Sequence, residues 1–126
     1  MGNKFGAAIN CMDGRTQIAV IEYLKSVYGV DCVDLVTEPG PNKILAENKD
    51  VAIIKSIKRR VKISVERHDS KLVAVVGHHD CAGNPADKAT QIAHILSAVE
   101  TVRHWGLNVQ VVGLWVDEKW KARLVQ

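Results

Sequence analysis

No run of apolar residues in this sequence approaches the roughly 20 needed to cross a bilayer, so a membrane protein is not expected. Nothing at the N-terminus reads as a secretion signal, and the expectation is a cytoplasmic protein. Aromatic residues are scarce, at 5%, and none interleaves with the densest basic stretch, Lys55 to Lys62. Without stacking surfaces or a nucleic-acid-binding motif, that stretch reads as a solvated helix face, and no nucleic-acid partner is expected. Charge of one sign is lacking as well: 17 basic against 14 acidic residues leave +3, too little to demand an acidic partner. Three cysteines are too few for a disulfide framework, which leaves metal binding or thiol chemistry as the first functional question.

What is present is the balance of an ordinary globular protein. The 126 residues suffice for one core and not for two, so residues 1–126 are expected to form a single domain. Lys4 to Cys11 reads as a short buried strand. A helix follows in which Ile18, Ile21, Leu24 and Tyr28 share a face, and Gly29 ends it. A second strand, about Cys32 to Thr37, stops at Glu38-Pro39-Gly40-Pro41, which reads as a loop. From about Asp50 the period is helical again, with Ile54, Ile57, Val61 and Val65 on one side and Lys55, Lys58, Arg59 and Lys62 mostly on another.

Leu72 to Gly77 is a nearly unbroken aliphatic run, as expected of a strand covered on both faces, and His78 follows it. Asn84 and Pro85 suggest an N-cap and first turn for a helix from about Pro85 to His104, buried along Ile92, Ile95, Leu96, Val99 and Val102. Gly106 closes it, Val109 to Trp115 reads as a fourth strand, and Asp117 to Gln126 as a turn with a short terminal element. This alternation predicts an α/β fold: a mainly parallel sheet, order about 2-1-3-4, with helices on both faces.

In such sheets ligands bind beyond the carboxyl ends of the strands where the strand order reverses, here between strands one and three. Cys11 ends strand one and His78 ends strand three, so Cys11-Met12-Asp13-Gly14-Arg15 and His78-His79-Asp80-Cys81 are expected to meet. Two thiolates and an imidazole form a recognised zinc set that leaves a fourth tetrahedral position open. The alternative is that Cys11 and Cys81 are small core residues and His78 a hydrogen-bonded one. Asp13 and Arg15, for their part, could be a surface ion pair at a helix start. His79 reads as a supporting or solvent-facing residue, Cys32 as core, and His68, His94 and His104 as solvated. A thiol redox protein is disfavoured by the absence of Cys-x-x-Cys, and Cys11 stands too close to Arg15 for a phosphatase loop.

Cys-x-Asp-x-Arg after the first strand and His-x-x-Cys after the third resemble the signature of the β-class carbonic anhydrases. The strand Val109 to Trp115 with Asp117 resembles that family's last core strand. The resemblance implies a β-carbonic-anhydrase-like fold and one Zn²⁺ per chain held by Cys11, His78 and Cys81. It also implies a catalytic dyad of Asp13 and Arg15, with reversible hydration of CO₂ to bicarbonate by a zinc-bound hydroxide. Arg15 would clasp Asp13 and keep it ionised and turned from the metal. A homodimer or larger homo-oligomer is expected on the same basis.

Several positions depart from the family pattern. Gly14 stands where Ser or Ala is usual, Ala82 where Gly is usual, and Glu38-Pro39-Gly40-Pro41 replaces an Arg-Asn-Ala-Gly segment. With one Phe and two Tyr, the groups that commonly line the CO₂ pocket are not found. The alternatives are therefore a related zinc hydrolase acting on COS or CS₂, or a non-catalytic zinc-binding protein in which Asp13 fills the fourth position.

Overall fold

A computed structural model describes residues 3–126; Met1 and Gly2 lie outside the described residues. Strands β1 (Phe5–Cys11), β2 (Cys32–Glu38), β3 (Leu72–His78) and β4 (Gln110–Val116) are parallel, and β5 (Ala122–Leu124) turns back antiparallel to β4. The sheet order is β2-β1-β3-β4-β5, so the expected order is present with the terminal element added at the edge. The helices are α1 (Gln17–Tyr28), α2 (Pro41–Glu47), α3 (Val51–Arg67) and α4 (Lys88–Arg103).

The period of two along each strand sends alternate residues to opposite faces, and both are covered. On one face Ile9, Val73, Val75 and Val111 pack with Leu45 of α2, Ile57 and Val61 of α3, and Ile95 and Val99 of α4. On the other, Ala8, Ala74, Val76 and Leu114 pack with Val20 and Leu24 of α1. Truncating a fully buried residue such as Leu24 or Ile57 to Ala would cost about 2–5 kcal/mol. Helix α4 lies so close to β4 that a Cβ on Gly113 would stand 2.6 Å from Ile95 Cγ2. Among the described residues, no helix is long and apolar enough to cross a membrane.

The helix termini follow simple rules where the cap is local. Gly29 closes α1 with φ 68°, and Asp50 caps α3 by accepting from the Ile53 amide at 3.2 Å. Four expectations need correction. Helix α1 buries Val20 and Leu24 while Ile18 is 69% exposed, because residues four apart share a face and Val20 and Leu24 continue the line of the buried Thr16, which Asn10 and the Asp13 carbonyl hold before the first turn.

The segment from Pro39 is not a loop throughout: Pro41 takes the first position of α2, where its missing N–H costs nothing. Helix α4 starts at Lys88, capped by Asp87, because Asn84 is buried in cross-links described below rather than capping the helix. Its buried stripe runs Gln91, Ile95, Ala98, Val99, Val102, and this spacing leaves Leu96 exposed.

Candidate metal centre

The carboxyl ends of β1 and β3, neighbours in the sheet, carry Cys11 and His78, and the turn after β3 brings Cys81 back beside them. Asp80 makes that return with φ 57°, the left-handed region that Asp tolerates better than most residues. The Sγ atoms of Cys11 and Cys81 are 3.8 Å apart, and one potential ligand atom from each of Cys11, His78 and Cys81 falls within 4.8 Å of the others. All three residues are buried.

His78 donates from Nδ1 to the carbonyl of His79 at 2.7 Å, which leaves Nε2 as the ring's free lone pair. That Nε2 is buried and has no hydrogen-bond partner. A buried acceptor without a donor costs about 1–3 kcal/mol, so such a group calls for an explanation. A cation beside two sulfurs is one, and a carbonyl behind the opposite ring nitrogen is the usual support of a ligating histidine. The donor set fits a tetrahedral zinc ion with one position to spare.

The electrostatics agree. Contact with Cys81, helped by His78 and by the amides of Gly40 and Asp13, pulls the Cys11 thiol down to about 4 against the cost of burial. Cys81 is pushed up by the neighbouring Cys11 sulfur and by burial, so without a cation the pair shares one proton. Burial opposes a charged His78, but the Cys11 sulfur and the His79 carbonyl outweigh it and raise its pKa, so in the metal-free site a proton competes with a cation for Nε2. A divalent cation would relieve this crowding of negative charge.

Asp13 and Arg15 sit at the rim. Arg15 reaches Asp13 from Nε at 3.1 and 3.2 Å and from Nη2 at 2.7 Å, and its own amide donates to Asp13 Oδ1 at 2.9 Å. These contacts, the Arg15 side chain first, hold the Asp13 carboxyl at about 2. The same guanidinium donates to the Asp80 carboxylate at 3.3 Å and to the Asp80 carbonyl at 3.1 Å. Gln17 ties the turn beneath them, donating to the carbonyls of Cys11 at 2.8 Å and Asp13 at 2.9 Å. An open cavity of about 580 Å³, lined by Arg15, His79, Cys81, Lys88 and Trp115 among others, adjoins Cys81.

Behind the Cys81 turn lies a buried polar network that sequence inspection missed. Asn42 donates to Gln91 at 2.7 Å, Gln91 donates to the Asn84 carbonyl at 2.6 Å, and the Asn84 side chain reaches Asn42 and His94. His94 is thus half-buried and partnered, not simply solvated. The backbones of Gly40 and Gly83 touch: a Cβ on Gly40, whose φ is 60°, would stand 2.7 Å from the Gly83 carbonyl carbon. His79, His68 and His104 are exposed, His68 stacking on Phe5, and Cys32 is half-buried and free, away from the cluster.

This arrangement has the fold of a β-carbonic anhydrase. The structure is similar to a carbonic anhydrase from Glaciozyma antarctica, with TM-score 0.66 at 14% identity over 99% of this chain and 83% of that one. It is also similar to the β-carbonic anhydrase CafA of Aspergillus fumigatus, with TM-score 0.55 at 16% identity over 97% and 74% of the two chains. A tetrameric β-carbonic anhydrase of Sordaria macrospora gives TM-score 0.54 at 12% identity over 97% and 80%. Among curated proteins no sequence match is found. Residues 1–126 match the protein family described as "Putative carbonic anhydrase", and the chain belongs to that family.

Proposed function

We propose that this protein is a zinc-dependent carbonic anhydrase that interconverts CO₂ and bicarbonate, with one zinc ion per chain held by Cys11, His78 and Cys81. The observation that carries the reading is the meeting of Cys11, His78 and Cys81 with ligand atoms within 4.8 Å of one another, where His78 Nε2 is buried and unpartnered. Zinc in such a set supplies a Lewis acid that makes a water acidic enough to give hydroxide near neutral pH.

The chain's own residues supply the rest. Asp13, ionised and clasped by Arg15, offers an acceptor that orients the attacking water. Arg15 holds that carboxylate through its Nε and Nη2 donors, which favours a site with an open position over one that Asp13 closes. His78 is kept in one tautomer by the His79 carbonyl. Linear COS and CS₂ remain substrates to be compared with CO₂ in the same assay.

The protein acts in the cytoplasm as a homodimer or larger assembly in this reading. The similarity to a tetrameric β-carbonic anhydrase supports self-association, which light scattering at micromolar concentration tests. Stopped-flow CO₂ hydration, with zinc measured on the same sample, tests the activity. The expected result is a rate that rises between about pH 7 and 9. Full zinc with no hydration over that range would overturn the assignment.

A further inference from the structure

Arg15 has a partner that the Asp13 pairing does not require. Its Cζ stands 4.3 Å from the centroid of the Trp120 ring, a cation–π contact. Trp120 belongs to the hairpin between β4 and β5, in which the Asp117 amide donates to the Lys121 carbonyl and the Trp120 amide donates to the Asp117 carbonyl at 2.9 Å. At φ 60° it occupies the left-handed position that closes such a loop, a place for Gly or Asn and an unfavourable one for a large side chain. Strain of this kind persists where the surroundings enforce it, and it gathers at functional sites.

The surroundings do enforce it. The buried carboxylate of Asp117 accepts from the amides of Lys119 at 2.9 Å and Lys121 at 3.1 Å, and from Arg123 Nη2 at 2.9 Å. The hairpin is thereby locked, and the indole points back over the site, 6.3 Å from the ring centroids of both His78 and His79. The ring covers one face of the guanidinium only: the Arg15 side chain is still 46% exposed, so a second contact that limits its motion bears on how well it holds Asp13.

We propose that Trp120 is a positioning residue: its ring covers the Arg15 guanidinium and so holds the Asp13–Arg15 pair in place beside the metal cluster. The inference deepens the carbonic anhydrase reading and rests on it for its consequence in catalysis, while the contact itself is independent of any activity. The role needs an aromatic face, so Phe serves in part, whereas Gly suits the backbone at φ 60° and removes the ring without breaking the loop.

The experiment compares the native protein with Trp120→Gly and Trp120→Phe by ¹H–¹⁵N spectra of the arginine Nε–H groups, with Arg15→Lys assigning the Arg15 signal. In native, metal-free protein the Arg15 Nε–H is displaced by the indole ring current and protected from exchange. Both features vanish in Trp120→Gly and partly return in Trp120→Phe. With zinc bound and its content unchanged, kcat for CO₂ hydration falls about threefold to thirtyfold in Trp120→Gly, the population shift one such contact sustains, and recovers in Trp120→Phe while KM stays near native. An Arg15 signal unchanged in Trp120→Gly, or lost equally in Trp120→Phe, would overturn the proposal. The expected signals in a protein that hydrates no CO₂ would support the positioning role and reject only the carbonic anhydrase reading.

Discussion

Arg15 grips Asp13 through its side chain and its own amide at once, Nη2 lying 2.7 Å from Oδ2 and the amide nitrogen 2.9 Å from Oδ1. Two residues apart in sequence, they close a ring of side-chain and backbone contacts that Trp120 covers from one side. The carboxylate is therefore committed to the guanidinium before any cation arrives.

Arg15→Ala releases that carboxylate and lets it turn toward the cluster. The expected outcome is unchanged zinc content with CO₂ hydration reduced at least about tenfold, equivalent to roughly 1.4 kcal/mol in the barrier. Arg15→Lys should recover little, since a point charge cannot reproduce the fork. Stopped-flow assays with paired metal analysis decide it, and an Arg15→Ala protein as active as the native one would exclude the dyad.

The ion pair also has a pH signature. Asp13 titrates at about 2 in the folded chain against an ordinary 3.8. Because the folded value is the lower one, the stabilisation is fully present above about pH 4 and is lost as pH falls through 3.8 toward 2. Urea unfolding of chelator-treated native protein and Asp13→Asn should differ by up to about 1 kcal/mol at pH 5, the half-exposed Arg15 limiting the gain. That difference should shrink steadily toward pH 2.5. Parallel pH curves would show that the pair contributes nothing to folding.

Gly77 and Gln91 test the scaffold behind the cluster. A Cβ at residue 77 would meet Asn42 Nδ2 at 2.6 Å, and Gln91 Oε1 and Ile95 Cδ1 at 2.9 Å each. Gly77→Ala should destabilise the protein by about 1–3 kcal/mol and disturb His78 next to it. Gln91→Ala strands the Asn42 amide and the Asn84 carbonyl, at roughly 1–3 kcal/mol for each partner left unpaired. Denaturant midpoints measure both, and zinc affinity should fall with them because the Cys81 turn is anchored there.

The parts of this structure that were legible in the sequence are those whose cause is local. The unbroken aliphatic run ending at His78 marks a strand buried on both faces, and Gly29 marks a left-handed helix end. Alternation of strands and helices implies the parallel sheet, and the sheet alone brings Cys11 and His78 to one edge. What escaped depends on distant partners. Helix α2 is only seven residues long, too short to show a period, and its entry reads as a breaker. Asn84 looks like a cap until Asn42 and Gln91 claim it, which shifts the start of α4 to Lys88. Trp120 reaches Arg15 only because a buried Asp117 shapes the last hairpin, and nothing in the sequence near Trp120 signals that.

The central claim is that Cys11, His78 and Cys81 hold one metal ion, and elemental analysis of protein purified without added metal tests it most directly. The account predicts about one zinc per chain in the native protein and its loss in each of Cys11→Ala, His78→Ala and Cys81→Ala, with the fold retained by circular dichroism. Native protein that is folded, carries no zinc and shows no affinity for it on titration would contradict the account.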